Sequence, residues 1–384
     1  MGKNGTSTVA LVRCQDYIPE QVDAAVQKGL QLLGGAGRFA AAGEKILLKP
    51  NILVGADASN CVSPHPMVFA AIAREFQKTG AQLRFGDSPG VGSPEGAVRR
   101  SGHLAVAQEL GVELADFTTA REVPFPDGHL INKFEIAEGV MSSDGLVSIS
   151  KFKTHALTRI TGAIKNQFGC IPGVRKAEYH SVMPSANLFS QMLVDLNLLL
   201  KPRLYIMDGI VAMEGNGPRS GTARPMHLLL FSTDPVALDA TVCRLIDLDT
   251  QLVEPLIHGE AFGLGTTQNI EYIGDPLESF IQADFKANRS NVPTTTDTSF
   301  LSTSFMRRFT SPRPVINPTL CIRCGQCVNI CPAKPKALSW HNNERIDIPV
   351  YDYAKCIRCY CCQETCPEKA ISVEIPWLGK MVRR

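Results

Sequence analysis

Eight of the thirteen cysteines fall in two runs of identical spacing, and this repeat constrains the chain more than any other feature. The first run is Cys321, Cys324, Cys327 and Cys331, followed by Pro332; the second is Cys356, Cys359, Cys362 and Cys366, followed by Pro367. Both open on Cys-Ile-Arg-Cys, and Lys334 answers Lys369. Three cysteines, each two residues from the next, fit one tight loop that turns three thiolates toward a common centre. The fourth sits where the chain leaves the loop, and the proline after it helps turn the chain away. Cysteine density of this kind in a chain of 384 residues, whose first ten are polar, argues for metal ligation in a reducing compartment rather than for disulfides. Structural zinc fits poorly, because zinc sites usually present cysteine pairs that close one tetrahedral centre.

The spacing resembles that of bacterial two-cluster ferredoxins, in which soft thiolates hold two [4Fe-4S] clusters and the fourth cysteine of each run ligates the other cluster. The resemblance implies that cluster one takes Cys321, Cys324, Cys327 and Cys366, and that cluster two takes Cys356, Cys359, Cys362 and Cys331. Ile322, Ile330, Ile357 and Ile371 are candidates for apolar shielding. Cys361 is one residue short of the spacing and reads as a free thiol. Cys14, Cys61, Cys170 and Cys243 are scattered and read as small buried apolar residues.

The rest of the chain alternates short apolar strands with helices. Strands are expected at 8–13, 45–49, 82–85, 145–150, 203–207 and 227–231. Helices are expected at 19–33, from a cap at Ser63 to 79, and at 160–168, 186–200 and 234–246. Alternation of this kind predicts an α/β domain with a large, mostly parallel sheet covered by helices on both faces. A small C-terminal α+β ferredoxin-like domain follows it. The expected division is residues 1–283 for the α/β domain, a polar linker over 284–314, which Phe300, Phe305 and Phe309 could pin to a domain surface, and 315–384 for the cysteine module.

Polar clusters recur at strand ends or in glycine-rich turns: Lys49-Pro50-Asn51, Asp87 to Gly90, Lys151 to His155, Gly162 to Gly169, His180, Asp208-Gly209, Glu214 to Pro218, and Asp234-Pro235 with Asp239. In this order they resemble the family catalogued as domain of unknown function 362, over about Thr8 to Ile281. The resemblance implies a fold and a redox context, not a substrate. Ligands of open α/β sheets bind beyond the carboxyl ends of the strands. Lys49, Asn51, Asp87, Lys151, Lys165 and Asn166 are therefore the expected binding residues for an anionic substrate or cofactor. Lys153, His155 and Asp208 are the expected catalytic residues, with His155 or Asp208 managing a proton. All nine are expected to line one cleft, with a cluster on the same side. A metal site built from Asp208, Glu214, Asp234 and Asp239 with His155 or His180 is the alternative, and helix capping by Asp234 is the plainer reading. Gly215, Gly217 and Gly221 do not make a dinucleotide fingerprint, and no phosphate-binding Walker sequence is present.

Two function classes follow. One is an iron–sulfur oxidoreductase that passes electrons through its clusters to an anionic molecule in the α/β domain. The other is a non-catalytic electron carrier, or an accessory protein in cofactor assembly, that docks a redox partner protein. The residues leave open whether the chain is an enzyme. A net charge of +2 gives no basic surface for nucleic acid, and no apolar run is long enough for a membrane span. The expected location is cytoplasmic.

Overall fold

The structure is a computed structural model that describes residues 5–173, 175–291, 311–341 and 345–377. Its eleven N-terminal strands are β1 (Ser7–Arg13), β2 (Lys45–Pro50), β3 (Gln82–Phe85), β4 (Glu113–Leu114), β5 (Ala120–Pro124), β6 (Lys133–Ala137), β7 (Gly145–His155), β8 (Arg159–Ile160), β9 (Leu204–Glu214), β10 (Thr222–Ser232) and β11 (Ile270–Gly274). Nine of them form one sheet in the order β11-β1-β10-β9-β7-β2-β3-β4, with β8 paired to β7. β5 and β6 form a separate antiparallel pair. Along the main order every pair is parallel except the two that β10 makes with β1 and β9. This is the mostly parallel sheet expected of the alternating pattern.

Apolar side chains leave both faces, as a covered parallel sheet requires. Ile46, Leu48, Val147, Ile149, Leu204 and Ile206 meet the helices Pro19–Leu32 and Pro66–Gln77 on one face. Leu47, Tyr205, Met207, Leu228 and Leu230 meet Ala186–Leu200 and Pro235–Leu245 on the other. Each fully buried side chain of this size contributes about 1.5–3 kcal/mol relative to exposure.

The differences from the expected elements cluster at the carboxyl edge. β7 runs on to His155 and β9 to Glu214, each well past its expected end. Their later residues are polar yet lie inside the protein, because neighbouring charges meet: Lys151 pairs in register with Asp208 before the strands slip past each other at a bulge. The helix expected over 160–168 is instead strand β8, a helix Gly162–Asn166 and a 3₁₀ turn Gln167–Cys170. Asp239 sets this start by accepting the N–H groups of Ala163 (2.6 Å) and Ile164 (3.1 Å). Gly162 adopts φ +62°, and a Cβ there would lie 2.4 Å from the Asp239 carboxylate, so only glycine fits. The cap of helix Pro66–Gln77 is His65, whose Nδ1 accepts the Met67 N–H, rather than Ser63.

The segment expected to be a linker begins packed. Phe285 is fully buried in the core, and the Arg159 guanidinium binds the carbonyls of Asn288 and Ser290. Residues 292–310, which include Phe300, Phe305 and Phe309, lie outside the described residues. The C-terminal module pairs β12 (Arg313–Ile316) with β15 (Ile371–Glu374), and β13 (Leu338–Ser339) with β14 (Val350–Tyr351). One short helix carries the third cysteine of each run, Gln326–Ile330 with Cys327 and Cys361–Thr365 with Cys362.

Candidate functional site

In the module, Cys321, Cys324, Cys327 and Cys366 face one small cavity whose other walls include Ile316, Ile322, Pro349 and Ile371. Cys331, Cys356, Cys359 and Cys362 face a second, walled by Pro314, Leu338, Ile357 and Tyr360. Four thiols around an apolar cavity are the donor set that a [4Fe-4S] cubane takes. Among the described residues no three His, Cys, Asp or Glu side chains close on a point as a single ion requires. Tyr351 donates its hydroxyl to Cys362 Sγ (3.3 Å), and the Ala370 N–H donates to Cys366 Sγ (3.3 Å). Cys361 is buried on the α/β side of its helix.

That helix, Cys361–Thr365, is the part of the module that docks on the α/β domain. Gln363 Nε2 donates to Asn216 O, Asn216 Oδ1 and Gly217 O at 3.0–3.1 Å. Arg219 donates to Thr365 O (2.7 Å), and Asn216 to Ile371 O (3.0 Å). The glycine-rich turn after β9 thus serves as the seat of the module. Tyr360 is buried in the α/β core, with φ +62° where the first run has Gly325 at +79°.

Between module and sheet edge lies a cleft of about 940 Å³. The α/β domain contributes Asn51, the loop from Asp87 to Gly92, Lys165, Lys176 and His180; the module contributes residues 329–336, Cys361, Glu364 and Thr365. Cys331 borders both this cleft and the second cysteine cavity.

The nine residues singled out in the α/β domain separate into groups. Asn51, Asp87 and Lys165 line the cleft. Lys49 and Asn166 lie directly beneath it: Lys49 Nζ donates to Asn166 O (2.6 Å) and Oδ1 (3.0 Å) and pairs with Asp87 Oδ1 (2.8 Å). Gly169 makes room for this pair, since a Cβ there would lie 1.8 Å from Asp87 Oδ1. Asp87 Oδ2 also accepts the Ile52 N–H (2.6 Å), fixing the ends of β2 and β3 together. Lys151 and Asp208 are not in the cleft. They pair at 2.7 Å with Tyr17, whose hydroxyl lies 2.9 Å from Lys151 Nζ, and Asp208 accepts the N–H groups of His65 and Ile210. Lys153 is fully buried and donates to Val62 O (2.5 Å); burial, with Lys165 and Lys151, pushes its pKa far down.

His155 stands behind the cleft wall. Its Nδ1 accepts the N–H groups of Leu157 and Thr158, so the neutral ring carries its proton on Nε2, 3.0 Å from Glu364 Oε1. Burial and Lys165 push His155 down to about 4. Burial raises the Glu364 carboxyl, but His155, Lys165 and His180 outweigh it and hold it at about 2. His180, stacked on Phe189, is pushed down by burial to about 4, and its Nδ1 has no hydrogen-bond partner among the described residues. Lys176 binds Ser88 O and Pro89 O; burial, with Lys49 and Lys165, lowers it to about 7 against the pull of Asp87.

Sequence reasoning passed over Glu364, Lys176, Tyr17 and His65. Glu364 sits within a cysteine run, where every residue reads as cluster scaffold, and Lys176 lies on a surface-type helix. The alternative metal site is dispersed. Asp234 caps its helix through Val236 and Ala237, Asp239 caps another, and Glu214 accepts the Lys286 N–H. Cys14, Cys61, Cys170 and Cys243 are buried, and burial pushes Cys170 up to about 12, an inert thiol.

A family model described as Domain of unknown function (DUF362) matches residues 46–244, and one described as 4Fe-4S dicluster domain matches residues 320–370. The chain belongs to the DUF362 family. Its C-terminal fusion is a 4Fe-4S dicluster domain, which gives this DUF362 protein iron–sulfur electron-transfer capacity. It is 35% identical over 261 residues to the thylakoid-associated protein sll1697 of Synechocystis sp., covering 68% of this chain and 81% of that one. The lactate racemase apoprotein of Thermoanaerobacterium thermosaccharolyticum superposes with a TM-score of 0.41 at 11% identity over 63% of this chain, and a Thermotoga maritima protein with 0.33 at 11% over 67%. The chain spans 57% and 61% of those two structures. No helix among the described residues is long and apolar enough to cross a membrane.

Proposed function

We propose that this protein is an iron–sulfur oxidoreductase that passes electrons through two [4Fe-4S] clusters to an anionic small molecule bound in the cleft between its domains. Cluster one takes Cys321, Cys324, Cys327 and Cys366; cluster two takes Cys356, Cys359, Cys362 and Cys331. The observation that carries the reading is Cys331, which borders both the cluster-two cavity and the cleft. The clusters supply single electrons, and a redox partner protein supplies them in turn. Cys324 and Ile322 are exposed, which gives such a partner a short path to cluster one.

Lys165 and Lys176 supply positive charge to the cleft, and the Asp87–Gly92 loop supplies backbone groups for orientation. Lys176, lowered to about 7, is suited to hand a proton to a reduced ligand near neutral pH. Asn51, Lys49, Asp87 and Asn166 fix the floor, while Lys151, Lys153, His155 and Asp208 hold the strand ends behind it. The protein works in a reducing compartment, on the cytoplasmic side of any membrane it associates with.

Anaerobically purified protein should carry about eight irons and eight sulfides, the content of two cubanes. Mass spectrometry should find a bound organic anion that K165Q or K176Q releases while iron content stays at the wild-type level. Zinc without sulfide would refute the cluster reading. Full iron with an anion retained by both variants would refute the cleft.

A further inference from the structure

The two cysteine runs share the tetrapeptide Cys-Ile-Arg-Cys, so Arg323 and Arg358 occupy equivalent positions, and both adopt left-handed backbone at φ 58° and 62°. Their surroundings are opposite. Arg323 is exposed to solvent, whereas Arg358 is 0% exposed and heads the fully buried side chains by size. The three guanidinium nitrogens of Arg358 meet no oxygen or nitrogen partner of good geometry among the described residues; the acceptor within reach of the side chain is the Cys356 thiol. The guanidinium lies 5.0 Å from the centre of the Tyr353 ring, which Arg313 also approaches at 4.8 Å. The Cys356 sulfur, a ligand of cluster two in the assignment above, lies beside the Arg358 side chain.

A buried guanidinium without a counter-ion is costly, and breaking such a pair is more costly than never forming it. A cubane held by four thiolates is net negative and becomes more so on reduction, so the cluster that Cys356 holds is the missing counter-charge. On this basis we infer that Arg358 is a fixed buried cation that raises the reduction potential of cluster two above that of cluster one, so that electrons collect on the cleft side of the module. The inference rests on the crossed ligand sets proposed above.

The opposing effects are weaker. Apolar burial disfavours added charge at cluster two, but in the same low-dielectric surroundings a cation acts at full strength. Arg323 sits in water, where solvent and salt screen it. Arg219 lies near Cys366 and Cys324, but it already binds Thr365 O and faces Glu368. Glu364, on the cluster-two helix, faces the Lys165 cation, and the neutral His155 ring presents Nε2 to its carboxylate at 3.0 Å. With electrons entering at exposed Cys324 and resting at the cluster beside Cys331, the module conducts toward the cleft.

The test is a potentiometric titration of the iron-loaded full chain followed by electron paramagnetic resonance. In the wild type, the first electron should reside on the cluster whose signal responds to Y351F, since Tyr351 bonds Cys362, and not on the one that responds to R219Q. R358Q should lower one of the two potentials by at least tenfold in the reduction equilibrium, about 59 mV for a one-electron couple. R358K should largely restore it, and R323Q should leave both unchanged. If R358Q does not load iron, the wild-type order and R358K still decide. A first electron on the R219Q-responsive cluster, an R358K shift as large as a neutral residue would give, or equal effects of R358Q and R323Q would each overturn the inference. Eight irons with unmoved potentials would do so while leaving the cluster reading intact.

Discussion

Replacing Tyr360 with alanine should loosen the cysteine module from the α/β domain. The ring is 1% exposed and packs into the α/β core, although the residue belongs to the second cysteine run. Removing a buried aromatic ring costs about 3–5 kcal/mol. Besides the His155–Glu364 contact, the polar contacts of the seat include the five hydrogen bonds of Gln363, Arg219 and Asn216. At a net of about 0.5–1.5 kcal/mol each, these five total about 2.5–7.5 kcal/mol, the same scale as the ring. Tyr360 is therefore a docking contact on the scale of all five together. The backbone adds a sharper test, because at φ +62° every side chain with a Cβ is strained, and the first run places glycine at the same point. Alanine keeps that strain of about 1 kcal/mol while losing the ring, so Y360G should be less damaging than Y360A, the reverse of the usual order. Urea unfolding of the iron-loaded full chain, followed by cluster absorbance and by far-ultraviolet circular dichroism, reads the effect. In the variants the cluster transition should move to lower urea and separate from the sheet transition. A loss under about 1 kcal/mol in Y360A, or glycine worse than alanine, would refute the docking role.

Two further predictions concern the site. C331S should perturb the resonance of the cluster held by Cys356, Cys359 and Cys362 and spare the one nearer in sequence, whereas C361A should leave both intact; loss of a cluster in C361A would make that thiol a ligand. Lys176, lowered to about 7, carries its charge only below that pH, so affinity for the cleft anion should fall as pH rises through 7 and K176Q should flatten the profile. Between about 7 and 10.5 the unfolded chain binds the extra proton, so stability should rise with pH across that window in the wild type and not in K176Q.

Much of the architecture is legible because buried parallel strands and their covering helices leave strong apolar runs, as at Lys45–Pro50 and Ala186–Leu200. The readings failed where polarity was taken for exposure. Lys151, Lys153 and Asp208 look like loop residues following a strand, yet β7 and β9 continue through them because each charge finds a partner inside. A pair formed by residues 57 positions apart leaves no local signal. The same holds for Glu364, whose partner His155 belongs to the other domain. The helix expected over 160–168 failed for a local reason that needed a distant residue, the Asp239 carboxylate that starts it at Gly162.

These buried pairs also decide what chemistry the cleft has to offer. Lys49 and Lys151 are the most prominent lysines at the strand ends, and both are already neutralised, by Asp87 at 2.8 Å and Asp208 at 2.7 Å. A buried ion pair of this kind adds little net stability, but losing one partner costs about 3–5 kcal/mol, so the geometry of the sheet edge is held tightly. What these lysines supply is a rigid floor, not charge for a ligand. The free charge of the cleft must come from groups on later elements: Lys165 on the short helix, Lys176 on the next, and the carboxylate of Glu364 from the module. Two of these three belong to the α/β domain and the third to the module, so the polar lining is complete only when the module is seated. Under the proposed function, binding at the cleft would then depend on docking of the module, whose Cys331 forms part of the cleft wall.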